Sequence, residues 1–158
     1  MNSVPGPDLI VRRAAINDLP DIMSLYRDLE GAYGGHTAAG SEADQEKLWE
    51  QVSADPRQHI LVGVKDRRII GTLTVIIIPN LGHRGSPWAA VENVVVDSKF
   101  RGRGIGTRLM AEAGRIAREH GCYKIILSSN LSRRDAHDFY AKLGWRMTHA
   151  GFSLEPTV

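Results

Sequence analysis

Residues 89–119 decide the fold: an apolar run, AAVENVVV at 89–96, a short turn, DSKF at 97–100, a loop, RGRGIG at 101–106, and a long amphipathic stretch ending at Glu119. The run has the length and composition of a buried strand, and the amphipathic stretch repeats its apolar residues at helical spacing. Glycines at 102, 104 and 106 let the backbone approach a ligand where a β-carbon would clash. The first N–H groups of the helix lack intrahelical partners, and the helix dipole adds partial positive charge there. Arg101, Arg103 and Arg108 add full charges. Such a place suits a phosphate group.

The spacing of the glycines narrows the choice of loop. A P-loop needs Gly-Lys-Ser/Thr at its end, whereas Gly106 is followed by Thr107 and Arg108. A dinucleotide fingerprint needs G-x-G-x-x-G with an acidic residue ending the next strand, and here the next apolar segment ends in Ser128 and Ser129. What remains is R-x-x-G-x-G, in Arg101, Gly104 and Gly106, after a strand with a carboxylate, Glu92. This pattern resembles the acetyl-CoA signature of the GNAT N-acetyltransferase superfamily, whose loop cradles the coenzyme A pyrophosphate. Within that superfamily, VENVVVDSKFRGRGIG and GCYKIIL look like the glucosamine-6-phosphate N-acetyltransferases. Residues 133–140 and the ending WRMTHAGFSLEP resemble aminoalkylphosphonate and other small-amine acetyltransferases.

The rest of the chain reads in the same sense. Residues 9–13 form a first strand, and Asn17 or Asp18 caps a helix whose apolar face is Leu19, Ile22, Met23, Leu25, Tyr26 and Leu29. Residues 30–40 form a mobile loop, and Ser41 with Asp44 makes a capping box for a second helix. Residues 59–65 and 69–78 form a hairpin, and 88–96 the central strand. After the helix at 104–120, stopped by Gly121, come a strand at 124–129, a short helix at 134–143, and two closing strands at 145–148 and 151–154. This order, β-α-α-β-β-β-α-β-α-β-β, is that of the GNAT fold. The resemblance implies an α/β (α+β) single-domain architecture over residues 1–158. Its mixed central sheet is splayed at the central strand, with helices on both faces.

Composition is consistent with such a domain. The 158 residues are 42% hydrophobic and 24% charged, an ordinary balance for one soluble domain. The apolar run at 75–78 is too short to span a membrane, and the N-terminus lacks the pattern of a signal peptide. The single Cys122 excludes an intrachain disulfide and suits a reducing, cytoplasmic compartment; between helix and strand it reads as a small buried hydrophobe. The formal charge of +2 hides an asymmetry: residues 1–98 carry 9 Lys and Arg against 13 Asp and Glu, whereas 99–146 carry 11 against 4. The basic half suits a polyanion. Coenzyme A is one such ligand, and nucleic acid is disfavoured because no aromatic residues interleave the basic ones.

The resemblance also implies the site. Backbone N–H groups at a bulge in the central strand, at Val94, Val95 and Val96, would hold the thioester carbonyl. Arg101, Gly102, Arg103, Gly104, Ile105, Gly106 and Thr107 would hold the pyrophosphate and Asn130 the pantetheine arm, with His137 and Tyr140 also at the coenzyme. Phe139-Tyr140-Ala141-Lys142-Leu143-Gly144-Trp145 matches a family motif whose tyrosine protonates the leaving thiolate, which makes Tyr140 the expected acid. Glu92 is the expected base, with a pKa raised by apolar surroundings. Tyr33, His36, His83, Arg84 and Glu92 would contact the acceptor. The implied activity is direct acetyl transfer from acetyl-CoA to a primary amine of a small molecule, without metal. A protein or peptide amine, and a non-catalytic acyl-CoA sensor, are the alternatives. A homodimer is compatible with the family.

Overall fold

The computed structural model describes residues 9–33, 40–154 and 156. They fall into two compact units, divided between Ile126 and Leu127. The first contains β1 (Ile10–Arg13), α1 (Leu19–Tyr33), α2 (Glu42–Ala54), β2 (Gln58–Lys65), β3 (Arg68–Ile78), β4 (Trp88–Val96) and α3 (Ile105–Glu119); β5 (Ile125–Leu127) crosses the division, and α4 (Arg134–Lys142) lies in the second. The strands stand in chain order, β1-β2-β3-β4-β5, and the first four run antiparallel to their neighbours. At β4 and β5 the Tyr123 N–H donates to the Pro87 carbonyl and the Ala89 N–H to the Lys124 carbonyl. These bonds advance in the same sense along both segments, so this pair is parallel and the sheet is mixed.

The elements form for local reasons. Asp66 and Arg67 both take left-handed φ, 49° and 60°, in the two-residue turn joining β2 to β3, the geometry that matches strand twist. Ser41 and Asp44 bond reciprocally, with the Asp44 N–H to Ser41 Oγ at 3.2 Å and the Ser41 N–H to Asp44 Oδ2 at 3.0 Å, and this box starts α2. Asp18 does not cap α1. Its carboxylate turns back to accept from the Ala15 N–H at 2.8 Å and pairs with Arg12 at 2.6 and 2.9 Å. That pairing holds Asp18 below the usual carboxylate range.

The core is the middle of the sheet: Leu61, Val62, Ile70, Leu73, Val75 and Val91 are at most 1% exposed. Side chains alternate faces along a strand, so Gly71 and Thr72 look in opposite directions. A β-carbon on Gly71 would lie 3.1 Å from Ile105 and 3.2 Å from Leu109, so α3 covers that face. Gly63, paired with Gly71 across β2 and β3, meets the same Ile105 at 3.1 Å. The two glycines leave a notch in which the first turn of α3 sits. Thr72 and Thr74 lie on the opposite face, and α1 packs against β3 and β4. Helices therefore lie on both faces of the sheet.

Three expectations fail. The segment 30–40 was expected as loop, but α1 continues to Tyr33; residues 34–39 of that segment lie outside the described residues. Residues 145–154 form no strands, and Met147, Phe152 and Leu154 are 77–98% exposed. Two four-residue segments joined through Gly151 supply few ladder bonds, and a two-stranded ribbon alone is marginal. The strand expected at 124–129 is likewise shorter, ending at Leu127.

Candidate active site

Strand β4 is interrupted where its chemistry is expected. Thr74 pairs with Glu92 and Thr72 with Val95, so the single Leu73 on β3 faces two residues, Asn93 and Val94. That is a β-bulge, one position earlier than the predicted 94–96. Asn93 has φ 55°, a left-handed conformation that asparagine tolerates better than valine does. The extra residue explains the shift: the valines that follow keep ordinary strand geometry, and the asparagine absorbs the bend. The bulge leaves Asn93 and Val94 without one-to-one partners on β3, while Val95 resumes the ladder against Thr72; β5 stops at Leu127. Backbone groups on this side of β4 are thus placed to serve a ligand.

Glu92 precedes the bulge. Its side chain is exposed to solvent, yet the surrounding protein removes enough water from its carboxyl to raise its pKa. Being opposite Thr74, it projects on the α1 face of the sheet.

After β4, Asp97 caps a 3-10 turn by accepting the Lys99 N–H at 2.9 Å, and its own N–H donates to the Ile70 carbonyl at 3.0 Å. Gly102 and Gly104 follow with φ 75° and 79°, values that only glycine takes at low cost. At Gly102 a β-carbon would meet nothing within 4 Å, so the requirement there is conformational rather than steric. Gly104 is the N-cap of α3, and the Arg108 N–H to Gly104 carbonyl bond, 3.1 Å, is the first of the helix. The N–H groups of Ile105, Gly106 and Thr107 precede that bond and are directed out of the helix end. Arg101 and Arg103 are exposed beside them: Arg101 Nε donates to the Val96 carbonyl at 3.3 Å, and the Arg103 guanidinium lies 5.4 Å from the Phe100 ring. Arg108, expected to add charge at the loop, instead donates to the Leu9 carbonyl and ties α3 to the chain entering β1. A left-handed glycine pair, a helix N-terminus and two surface guanidinium groups fit a pyrophosphate.

The second unit carries Asn130, His137 and Tyr140. Asn130 Oδ1 accepts from the Ser132 N–H at 2.9 Å and the Ser132 hydroxyl at 2.8 Å, so half of this amide is committed to the turn before α4. Its exposed Nδ2 end is the part that could donate to a ligand. His137 is half-buried on α4. Tyr140 is 8% exposed, with Phe139 and Trp145 ring centroids 5.3 and 6.2 Å away, and its carbonyl accepts the Trp145 N–H that closes the helix.

Of the residues expected at the acceptor, His36 lies outside the described residues and Tyr33 ends α1. His83 and Arg84 are exposed, with φ 50° and 59°, and the His83 ring stacks on Tyr123 at 3.9 Å. Cys122 is half-buried, and burial raises its thiol pKa, which disfavours a thiolate nucleophile. No cluster of three or more metal-ligating side chains occurs among the described residues. Two polar residues at the site were not anticipated. Tyr26, read as part of an apolar helix face, is half-buried, and desolvation raises the pKa of its phenol. Asn93 itself, a polar interruption in an apolar run, was the visible signal for the bulge.

Residues 20–145 match the Acetyltransferase (GNAT) family, and the chain belongs to that family. It is 39% identical over 79 residues to glucosamine 6-phosphate N-acetyltransferase of Trypanosoma brucei brucei, covering 50% of this chain and 52% of that one. It is 32% identical over 100 residues to aminoalkylphosphonate N-acetyltransferase of Salmonella typhimurium, covering 63% and 64%. The aligned region thus spans between half and two-thirds of these relatives. Among solved structures, a putative acetyltransferase from Agrobacterium tumefaciens superposes with a TM-score of 0.82 at 30% identity, over 93% of this chain and 99% of that one.

Proposed function

We propose that this protein is an acetyl-CoA-dependent N-acetyltransferase that acts on a primary amine of a small molecule, by direct transfer in a ternary complex. The observation that carries this reading is the succession along one stretch of chain: Glu92, the bulge at Asn93–Val94, and the left-handed Gly102 and Gly104 opening α3. Family membership over residues 20–145, which include both units, supports treating the whole chain as one N-acetyltransferase domain.

In this reading the loop and the first turn of α3 hold the pyrophosphate, with Arg101 and Arg103 adding charge. The backbone N–H groups at the bulge donate to the thioester carbonyl and stabilise the oxyanion that develops on it. Glu92 takes a proton from the acceptor ammonium, directly or through water. The amine nitrogen then bonds to the acyl carbon, and as the carbon–sulfur bond breaks the nitrogen releases its second proton to solvent, leaving a neutral amide. Tyr140 gives its phenolic proton to the departing thiolate. Asn130 binds the pantetheine arm, and His137 also contacts the coenzyme.

For the acceptor, the two curated relatives take a phosphorylated amino sugar and aminoalkylphosphonates, by their names. A small primary amine that also bears a phosphate or phosphonate is the class we infer, with the exposed Arg84 a candidate for its anion. Calorimetric titration with acetyl-CoA and with dephospho-coenzyme A, followed by a thiol-release screen of amines with and without phosphate, tests both halves. Binding of acetyl-CoA with release of thiol only in the presence of a small amine supports the reading. No coenzyme binding overturns it, and thiol release only with peptides would move the acceptor to protein amines.

A further inference from the structure

The loop and first turn of α3 are seated on the sheet by one side chain. Of residues 101–107 only Ile105 is buried, at 2% exposed, while the others are exposed or half-buried. The polar ties of the loop, from Arg101 Nε to the Val96 carbonyl and from the Lys99 N–H to Asp97, lie at the surface. Ile105 is buried because β2 and β3 leave room for it. Gly63 and Gly71 face each other across these strands, and a β-carbon on either would lie 3.1 Å from the same atom, Ile105 Cγ2. Glycine inside a strand weakens it, and a facing pair marks a place where another element comes close. A β-carbon on Gly71 would also lie 3.1 Å from the Val95 carbonyl, so the seat of the helix adjoins the strand that carries the bulge.

We propose that Ile105 is a positioning residue for the coenzyme: its Cγ2 methyl, seated between Gly63 and Gly71, fixes the start of α3 against the sheet and with it the direction of the N–H groups of Ile105, Gly106 and Thr107. This rests on the reading of that turn as the pyrophosphate site. The coupling is stiff for a covalent reason. Cγ2 branches directly from Cβ, and a β-branched side chain is restricted at χ1, so the place of the methyl dictates the place of the backbone that bears it. Leucine has as many carbons but branches one bond further out, and it cannot hold a methyl there with the same rigidity. Valine can, since it keeps the branch at Cβ and lacks only the terminal methyl. Gly104 before Ile105, and the half-buried Gly106 and exposed Thr107 after it, bring no buried side chain of their own.

The test compares three variants of the full chain, each titrated calorimetrically with coenzyme A and unfolded in urea without ligand. Ile105→Leu keeps the volume and loses the branch, and its Kd should rise about tenfold as the N–H groups lose their alignment. Ile105→Val loses volume and keeps the branch, and its Kd should stay within about twofold of wild type even if its urea midpoint falls. Ile116→Leu makes the same exchange at a buried position near the other end of α3, and should lower the urea midpoint without changing affinity. A purely structural role would instead order the affinities by stability. Gly71→Ala, which presses on Ile105 from the sheet, should weaken binding in the same direction as Ile105→Leu. Equal affinity in Ile105→Leu and Ile105→Val, or a loss that tracks the urea midpoint in all three variants, overturns this inference and leaves the proposed function standing. Absence of coenzyme A binding by the wild type overturns the proposed function, and this role with it.

Discussion

Thr74 of β3 stands directly opposite Glu92 of β4, the last regular pair before two residues of β4 crowd against Leu73 alone. The carboxylate is thus anchored on its strand one step from the backbone groups expected to receive the thioester oxygen. It sits on the sheet face that α1 covers.

Glu92→Gln should lower turnover by about 10² to 10³, the usual worth of a positioned base, with acetyl-CoA affinity unchanged. Desolvation raises the Glu92 pKa, and a base acts only when ionised. Activity should therefore fall as pH drops through that raised value, above the ordinary glutamate range, and the glutamine variant should lose this limb of its profile. Stopped assays across pH 4.5–8 would check it. Full activity in the variant would place the base elsewhere.

Tyr140→Phe should reduce kcat by about 10² while leaving coenzyme binding and fold intact, because the ring that packs against Phe139 and Trp145 is preserved. Calorimetry and steady-state kinetics on one preparation separate the two effects. Weakened coenzyme affinity with unchanged turnover would assign Tyr140 to binding.

Gly104→Val should abolish acetyl-CoA binding. The position has φ 79°, and a β-branched residue there is strained by about 1–2 kcal/mol before any ligand arrives. The loop would relax and redirect the N–H groups of the first turn. A calorimetric titration with retained affinity would remove the phosphate role of RGRGIG.

His59 predicts an acid-sensitive fold. It is 8% exposed, Arg13 Nη2 donates to its Nδ1 at 2.7 Å, and its ring lies edge-on to His120 at 4.9 Å. Burial first, then the neighbouring Arg13 and His120, push it down to about 4. The unfolded chain binds a proton at His59 near pH 6.5, and the folded chain refuses it until about 4. Stability should be full above pH 6.5 and decline as pH falls toward 4, by about 1–2 kcal/mol from this group. Urea midpoints at pH 7.5 and 5 should differ more in the wild type than in His59→Asn. Equal differences would exclude the role.

Much of this was legible in the sequence because several signals agreed in each place. The two-residue turn at Asp66–Arg67, the Ser41–Asp44 box and the apolar stripe of α3 each specify a local geometry that packing then keeps. The loop's conformation was legible where backbone chemistry dictates residue type, at Gly102 and Gly104. Less was legible where a side chain has two natures. Tyr26 falls on the apolar stripe of α1 by spacing, yet its phenol is only half-buried, and desolvation raises its pKa. Arg108 counts as loop charge in one dimension and proves to be a tie to Leu9 in three. The strands expected at 145–148 and 151–154 do not form, and Met147, Phe152 and Leu154 stay exposed.

The notch made by Gly63 and Gly71 has a consequence for how this sequence can drift. A methyl group at position 63 would press on Ile105 at 3.1 Å, with its other neighbours at 3.8 Å. Gly63→Ala should be harmful while Ile105 is present and helpful once Ile105→Ala has emptied the space, a reversal of sign within a single pair. Substitutions on β2 are thus licensed by the residue that opens α3, and a change accepted in the sheet will be accepted or refused according to what that helix already carries.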